Sequence, residues 1–299
     1  MEKHLRSGMW LGLLAVASFS LTLPATRVAV ATMHPLFVSS GRAVVAALLA
    51  AIYLYLGRHR LPTRSEFKRL AIVAAGVVIG FPVCTAWAMQ RVDSSHGGVM
   101  LGILPLVTAA AGAIVSRERP SAKFWFFAGL GSALVIGFSL LSGAGRLQLA
   151  DIALLVAVLS AAIGYAVGAR LALTLGGLET ISWALILCAP LVLFPTVYFF
   201  PPLWEPPWQA WAALAYVSVI SQYLGFWPWY RGLALGGTAR VGQLQLLQPF
   251  MTLVAAAVLL GETIRPITLA FALAVFAVVS FGSKARIAHG ESGGRERRA

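Results

Sequence analysis

The chain alternates between long apolar runs and short polar stretches. Ten runs stand out: 10–30, 36–55, 70–89, 97–115 and 124–141, then 152–171, 181–200, 210–229, 241–260 and 266–283. A helix rising about 1.5 Å per residue needs about 20 apolar residues to cross a bilayer core. The pattern therefore predicts an all-α membrane protein with ten transmembrane helices. Residues 1–6 are basic, and Ala15, Val16 and Ala17 look like a signal-cleavage site. The apolar run before them, 9–14, is too short for a signal core, and hydrophobicity continues to Val30, so the first run is expected to stay as a span.

Composition supports this reading. Of the 299 residues, 59% are hydrophobic and 11% charged, against about 25% charged in soluble domains. Ten spans with short loops leave no room for a soluble domain. The net charge of +13 does not indicate a nucleic-acid partner, because Lys and Arg sit in span-flanking loops rather than on one face. The loops holding Arg58–Arg69 and Arg117–Lys123, together with Lys3, Arg6, Arg170, Arg231, Arg240 and the basic tail, fall on one side. Only Arg27, Arg91, Arg146 and Arg265 fall on the other. The bias predicts a bacterial inner-membrane protein with both termini in the cytoplasm. The tail, 284–299, is expected to lack regular structure. Cys84 and Cys188 lie inside apolar runs as small hydrophobes, so no metal, cofactor or disulfide framework is expected.

The sequence also repeats. At an offset of 144, Gly98 meets Gly242, Pro105 meets Pro249, Thr108 meets Thr252 and Glu118 meets Glu262; at 142, Ser18 meets Ser160. This divides the chain into five-helix repeats at 1–147 and 148–283, followed by the tail. Five is odd, so the second repeat must enter the membrane in the opposite sense. Inverted repeats place a substrate near the midplane and alternate its access by rocking.

The Pro-containing fourth and ninth spans, each closed by an acid (Pro105 with Glu118, Pro249 with Glu262), resemble the drug/metabolite transporter superfamily, EamA type. Trp10 opening the first span and Arg42 early in the second fit that resemblance. Within the superfamily the chain looks most similar to bacterial aromatic amino-acid exporters. The resemblance implies export or facilitated movement of aromatic and neutral amino acids, and another small metabolite or drug stays open as cargo. Arg42 has no cationic counterpart in the second half.

None of the ten carboxylates lies deep in a run. Coupled carriers usually keep an ionisable group at depth, so downhill movement is expected. Asp93 and His96 near the outer mouth are the candidate proton carriers, with solvation in a loop as the plainer reading. Arg42 lies about 10 Å inside its span, placed either to meet a substrate carboxylate or to bond helix-end carbonyls. Tyr216, Tyr223, Trp227 and Tyr230 share one helical face. Tyr223 and Trp227 are candidates for the cavity, while Trp229 and Tyr230 read as interfacial anchors. Trp87 and Tyr165 are weaker candidates of the same kind. Gln243, Gln245 and Gln248 precede Pro249, and amides are costly against lipid, so they are expected to point inward, toward substrate or neighbouring helices. Ser20 and Thr22 offer similar contacts. Pro24, Pro82, Pro105, Pro228 and Pro249 are candidate hinges. Gly76–Gly80, Gly98–Gly102 and Gly164–Gly168 read as packing faces.

HExxH does not occur, and no carboxylates pair within the spans, so a membrane enzyme is not expected. A phosphorylated cargo would want several cavity cations, and a cationic drug would want a carboxylate. The expected partners are a small-molecule substrate and the lipid bilayer, with the chain as a monomer.

Overall fold

The computed structural model describes residues 2–116, 121–142, 148–236 and 241–295. Among them every regular element is helical. Helices α1 (Glu2–Ser20) and α2 (Thr22–Val30) form one rod broken at Leu21. The break lies just before Pro24, whose ring and missing N–H interrupt helical bonding. α3 (Pro35–Leu56) starts with proline in its first turn, where no amide partner is lost. α4 (Arg64–Val73) opens on a capping box between Thr63 and Glu66. It passes through a π segment, Ala74–Gly80, into α5 (Phe81–Met89). α6 (Ser94–Met100), a 3-10 turn at Leu101–Ile103 and α7 (Leu104–Ser116) form the fourth rod, and α8 (Ala122–Ser142) the fifth.

The second half repeats this plan. α9 (Leu149–Ala172) and α10 (Gly177–Tyr198) come first. α11 (Trp208–Tyr216) continues through a second π segment, Val217–Leu224, into α12 (Phe226–Gly236). A 3-10 stretch, Gly242–Leu247, leads into α13 (Gln248–Leu260), and α14 (Pro266–Arg295) ends the described chain. The same irregularities thus recur in the same order: a π segment in the third rod of each half and a 3-10 turn before the proline of the fourth. Such departures from α geometry are concentrated at functional sites and hinges.

Among the described residues six rods are long and apolar enough to cross a membrane: Arg6–Val30, Pro35–Leu56, Arg64–Met89, Ser94–Val115, Leu149–Ala172 and Gly177–Tyr198. Shorter apolar helices cover Trp125–Phe138, Leu244–Leu260 and Pro266–Phe281, and the run at 210–229 is divided by its π segment. The tail differs from expectation, since α14 runs on to Arg295. Extending an existing helix over Lys, Ala, Arg and Glu avoids the nucleation cost. Glu118 and the loops bearing Arg119, Arg146 and Arg240 lie outside the described residues.

The two Pro-containing rods cross antiparallel. Ser94 meets Glu262, a Cβ at Gly98 would lie 3.1 Å from Thr252, and one at Gly102 would lie 3.4 Å from Pro249. The third and sixth rods touch through glycine: a side chain at Gly76 would collide with the Ser160 carbonyl, and one at Gly164 with Val77. These contacts are the backbone approach that small residues permit. Each of the five expected hinge prolines falls at or beside a helix irregularity. Pro82, Pro105 and Pro249 each take the second position of a helix that follows one. Pro190 and Pro195, both inside α10, were not among those expected.

Candidate functional site

The rods converge on a narrow cavity, no wider than about one water molecule. Its lining comes from both halves: Phe19, Thr22, Arg42, Val77, Phe81 and Leu104, with Tyr165, Ser221, Gln222, Phe226 and Gln248. Both π segments contribute, and they are tied together where the Gln222 amide donates to the Val77 carbonyl at 3.4 Å.

Ser221 is the polar hub. Its hydroxyl shares a hydrogen bond with Thr22 at 2.8 Å and accepts from the Arg42 guanidinium at 2.9 Å. Arg42 is 2% exposed, and its Nε has no hydrogen-bond partner. Among the described residues no carboxylate pairs with it. A buried cation held only by a neutral hydroxyl is costly, and its unused donors suit an anionic group.

Beside Arg42 stands an aromatic wall. Phe19 packs on Phe226 at 5.2 Å and on Trp229 at 6.2 Å; Tyr165 lies 6.0 Å from Phe226 and 5.6 Å from Trp229. Phe226 in turn packs on Tyr230 at 5.4 Å. Centroid separations of this size are those of favourable tilted and edge-on pairs.

Of the expected site residues, Thr22, Arg42, Tyr165 and Gln248 line the cavity together. Gln245 is fully buried one turn before Gln248, and neither of its amide atoms is partnered. Ser20 turns its hydroxyl back to the Val16 carbonyl at 2.7 Å, while its own carbonyl accepts from Thr252 at 2.9 Å. Tyr223 is held by Ser182 at 3.0 Å, off the cavity. Trp87 lies partly buried beneath the Arg91 guanidinium, 3.6 Å from its ring. The Gln243 side chain lies outside the description.

The aromatic stripe needs correction. Trp227 is 39% exposed and carries Arg231 5.7 Å above its ring, whereas Trp229 and Tyr230, expected as interfacial anchors, are fully buried. The π segment is the cause. One extra residue in a turn rotates all that follows by about 100°, so the face that began at Tyr216 is not continued at Trp227. Ser221, Gln222, Phe19, Phe81 and Phe226 were missed. A Ser-Gln pair at the centre of an apolar run was the available signal for the first two.

A second polar cluster closes the Arg27 end. Arg27 pairs with Asp93 at 2.6 Å and with Glu262 at 3.5 Å, and donates to the carbonyls of Met89 and Val92. Glu262 accepts from the Ser94 amide at 3.0 Å, the Ser94 hydroxyl at 2.7 Å and the Ser95 amide at 2.9 Å. Burial alone would raise the Glu262 carboxyl, but these donors outweigh it and hold it below its ordinary value. His96 Nε2 meets Asp151 at 2.7 Å. Asp151 is fully buried and also accepts from the Gln148 backbone N–H at 2.9 Å. His96 is thus a mostly buried partner of Asp151 rather than a solvated loop group, because the fold sets the start of α6 against the start of α9. Asp93 does remain open to solvent, with its side chain 62% exposed.

Residues 6–141 and, separately, 148–282 match the EamA-like transporter family. The Uncharacterized transporter YdeK of Bacillus subtilis (strain 168) is 45% identical over 270 residues, covering 90% of this chain and 94% of that protein. A chain of known crystal structure superposes with a TM-score of 0.64 at 17% identity, over 94% of this chain and 98% of that one, a likeness of fold.

Proposed function

We propose, from the premise that this chain belongs to the EamA-like transporter family, that it exports or facilitates the movement of aromatic and neutral amino acids. It works by alternating access between two inverted five-helix repeats, ten spans in all. The observation that carries this reading is the cavity between the halves, where a buried unpaired Arg42 stands beside an aromatic wall. The guanidinium takes the carboxylate of an amino acid, Thr22, Ser221 and Gln248 surround the polar head, and Phe19, Tyr165 and Phe226 take the side chain. The antiparallel crossing of the Pro105 and Pro249 rods supports inversion, as does the paired placement of the π segments. The closed Arg27 end faces outward in this reading, with both termini in the cytoplasm of a bacterium and the chain acting as a monomer.

Another small metabolite or drug is the alternative cargo. One lining cation is few for a phosphate ester, and a cation would find no carboxylate among the described lining residues. Flux in proteoliposomes loaded with labelled amino acids tests the proposal. Saturable movement of phenylalanine and tryptophan down their gradients is expected, and an imposed pH gradient drives no accumulation. Flux no higher than in protein-free vesicles for every amino acid would overturn the reading. Cysteines at positions 60 and 205 check orientation: an impermeant maleimide on whole cells should label 205 and spare 60.

A further inference from the structure

We propose that the cavity recognises the carboxylate and the ring of its cargo but not the amino group, so that aromatic monocarboxylates lacking an amine are carried as well. This rests on the amino-acid reading above and narrows it to one chemical class. Three observations lead to it. Arg42 is the single charged side chain among the described lining residues, and it faces the cavity with Nε unpartnered. Ser221 anchors one arm of the guanidinium, which fixes the plane of a donor fork suited to a carboxylate.

The remaining polar groups of the lining are all neutral: Thr22, Ser221, Gln222, Tyr165 and Gln248. Two of these are already committed, Thr22 to Ser221 and the Gln222 amide nitrogen to Val77. An ammonium entering this space meets no carboxylate there to neutralise it, and it sits close to a like charge in a medium of low polarity. The ring, by contrast, has a built surface in Phe19, Phe226 and Tyr165. An α-amino acid therefore enters on its carboxylate and ring, with its ammonium tolerated rather than bound. Removing the amine removes a repulsion and a desolvation cost while forfeiting no ion pair.

The test compares three compounds that share one ring: 3-phenylpropionate, phenylalanine and phenethylamine. The purified protein is reconstituted and assayed at pH 8, where the acid is ionised and crosses bare lipid slowly; protein-free vesicles give the background. Phenylpropionate should inhibit phenylalanine efflux with a half-maximal concentration equal to or several-fold below that of phenylalanine itself. It should also be carried above background, whereas phenethylamine does neither. Arg42→Gln should lower affinity for both acids by a similar factor, read as binding by tryptophan fluorescence in detergent, so that poor reconstitution cannot mimic the result. Carriage of phenylalanine with no competition by phenylpropionate would overturn the inference and leave the amino-acid reading standing. Carriage of phenylpropionate alone would overturn the amino-acid reading and keep the carboxylate site, and competition by phenethylamine would remove the charge argument altogether.

Discussion

Two polar clusters lie along the contact between the halves, and they are built on opposite principles. At the Arg27 end Arg27 is answered by Asp93 and Glu262, Glu262 also by Ser94 and Ser95, and His96 is hydrogen-bonded to Asp151. In the central cavity, among the described residues, Arg42 is answered only by a serine hydroxyl. Matched charges across an interface hold its two sides in register, and removing one partner leaves the other charge less well compensated. An unmatched buried charge stabilises nothing until a ligand arrives. The Arg27 cluster is thus built as a clamp and the Arg42 cavity as a receptor, and they differ in how many partners each charge has.

The largest effect should come from giving the receptor a counter-ion. Ser221→Asp would pair Arg42 internally, so the contrast predicts a raised melting temperature together with a fall of 100-fold or more in kcat/KM, on the order of the loss of a charged hydrogen-bonded pair. Arg42→Gln should lose transport to a similar degree without that gain in stability. Normal flux in Ser221→Asp would mean that the cavity does not depend on an unpaired cation.

Next in size is a break in the clamp. Glu262→Gln leaves the Ser94 and Ser95 donors and Arg27 facing a weaker acceptor. A cysteine at position 22 should then be labelled from outside about 10-fold faster than in the parent background, a factor near 1.4 kcal/mol. Unchanged labelling would show that this end is held by packing alone.

The pH dependence of the clamp should be more modest. The Glu262 carboxyl is depressed below 4.5, so its contribution to stability is fully present above pH 4.5. That contribution is lost only as pH falls further, through the folded-state value. Thermal unfolding in detergent should therefore be flat in this term from pH 7 down to about 5 and decline below that, with Glu262→Gln removing the decline. A loss beginning near neutrality would point to another group.

The smallest effect is expected at Trp227, whose ring faces outward under Arg231. Trp227→Ala should change phenylalanine flux by less than about twofold, against several-fold for Phe226→Ala in the aromatic wall. A larger loss at 227 than at 226 would restore the stripe read from helical periodicity.

Much of the fold could be read from run length, since lipid forces apolar stretches of fixed size. The pairing of Pro105 with Pro249 was equally legible, and 3-10 turns precede both. What escaped depended on phase or on distant contacts. Counting by 3.6 from Tyr216 gives Trp227 the inward face, and a π turn cannot be seen in composition. Asp151 looks like an ordinary first-turn acid, and only the packing of α6 on α9 brings His96 to it. Arg42 was found because an isolated cation in an apolar run is conspicuous, while Ser221 and Gln222, the residues that hold it and the two halves together, passed as minor polarity.

The π segments also bear on how the chain tolerates changes in length. A one-residue deletion inside a membrane helix normally turns its buried face toward lipid. Within Val217–Leu224 the helix already holds more residues per turn than α geometry needs. A deletion there has a regular α-helix to relax into, which would bring Trp227 round to the inward side and carry Trp229 and Tyr230 away from it. The same holds at Ala74–Gly80. Each half therefore contains one place where losing a codon rearranges the wall of the cavity without dismantling the rod, giving this scaffold a short genetic route to a differently lined pocket.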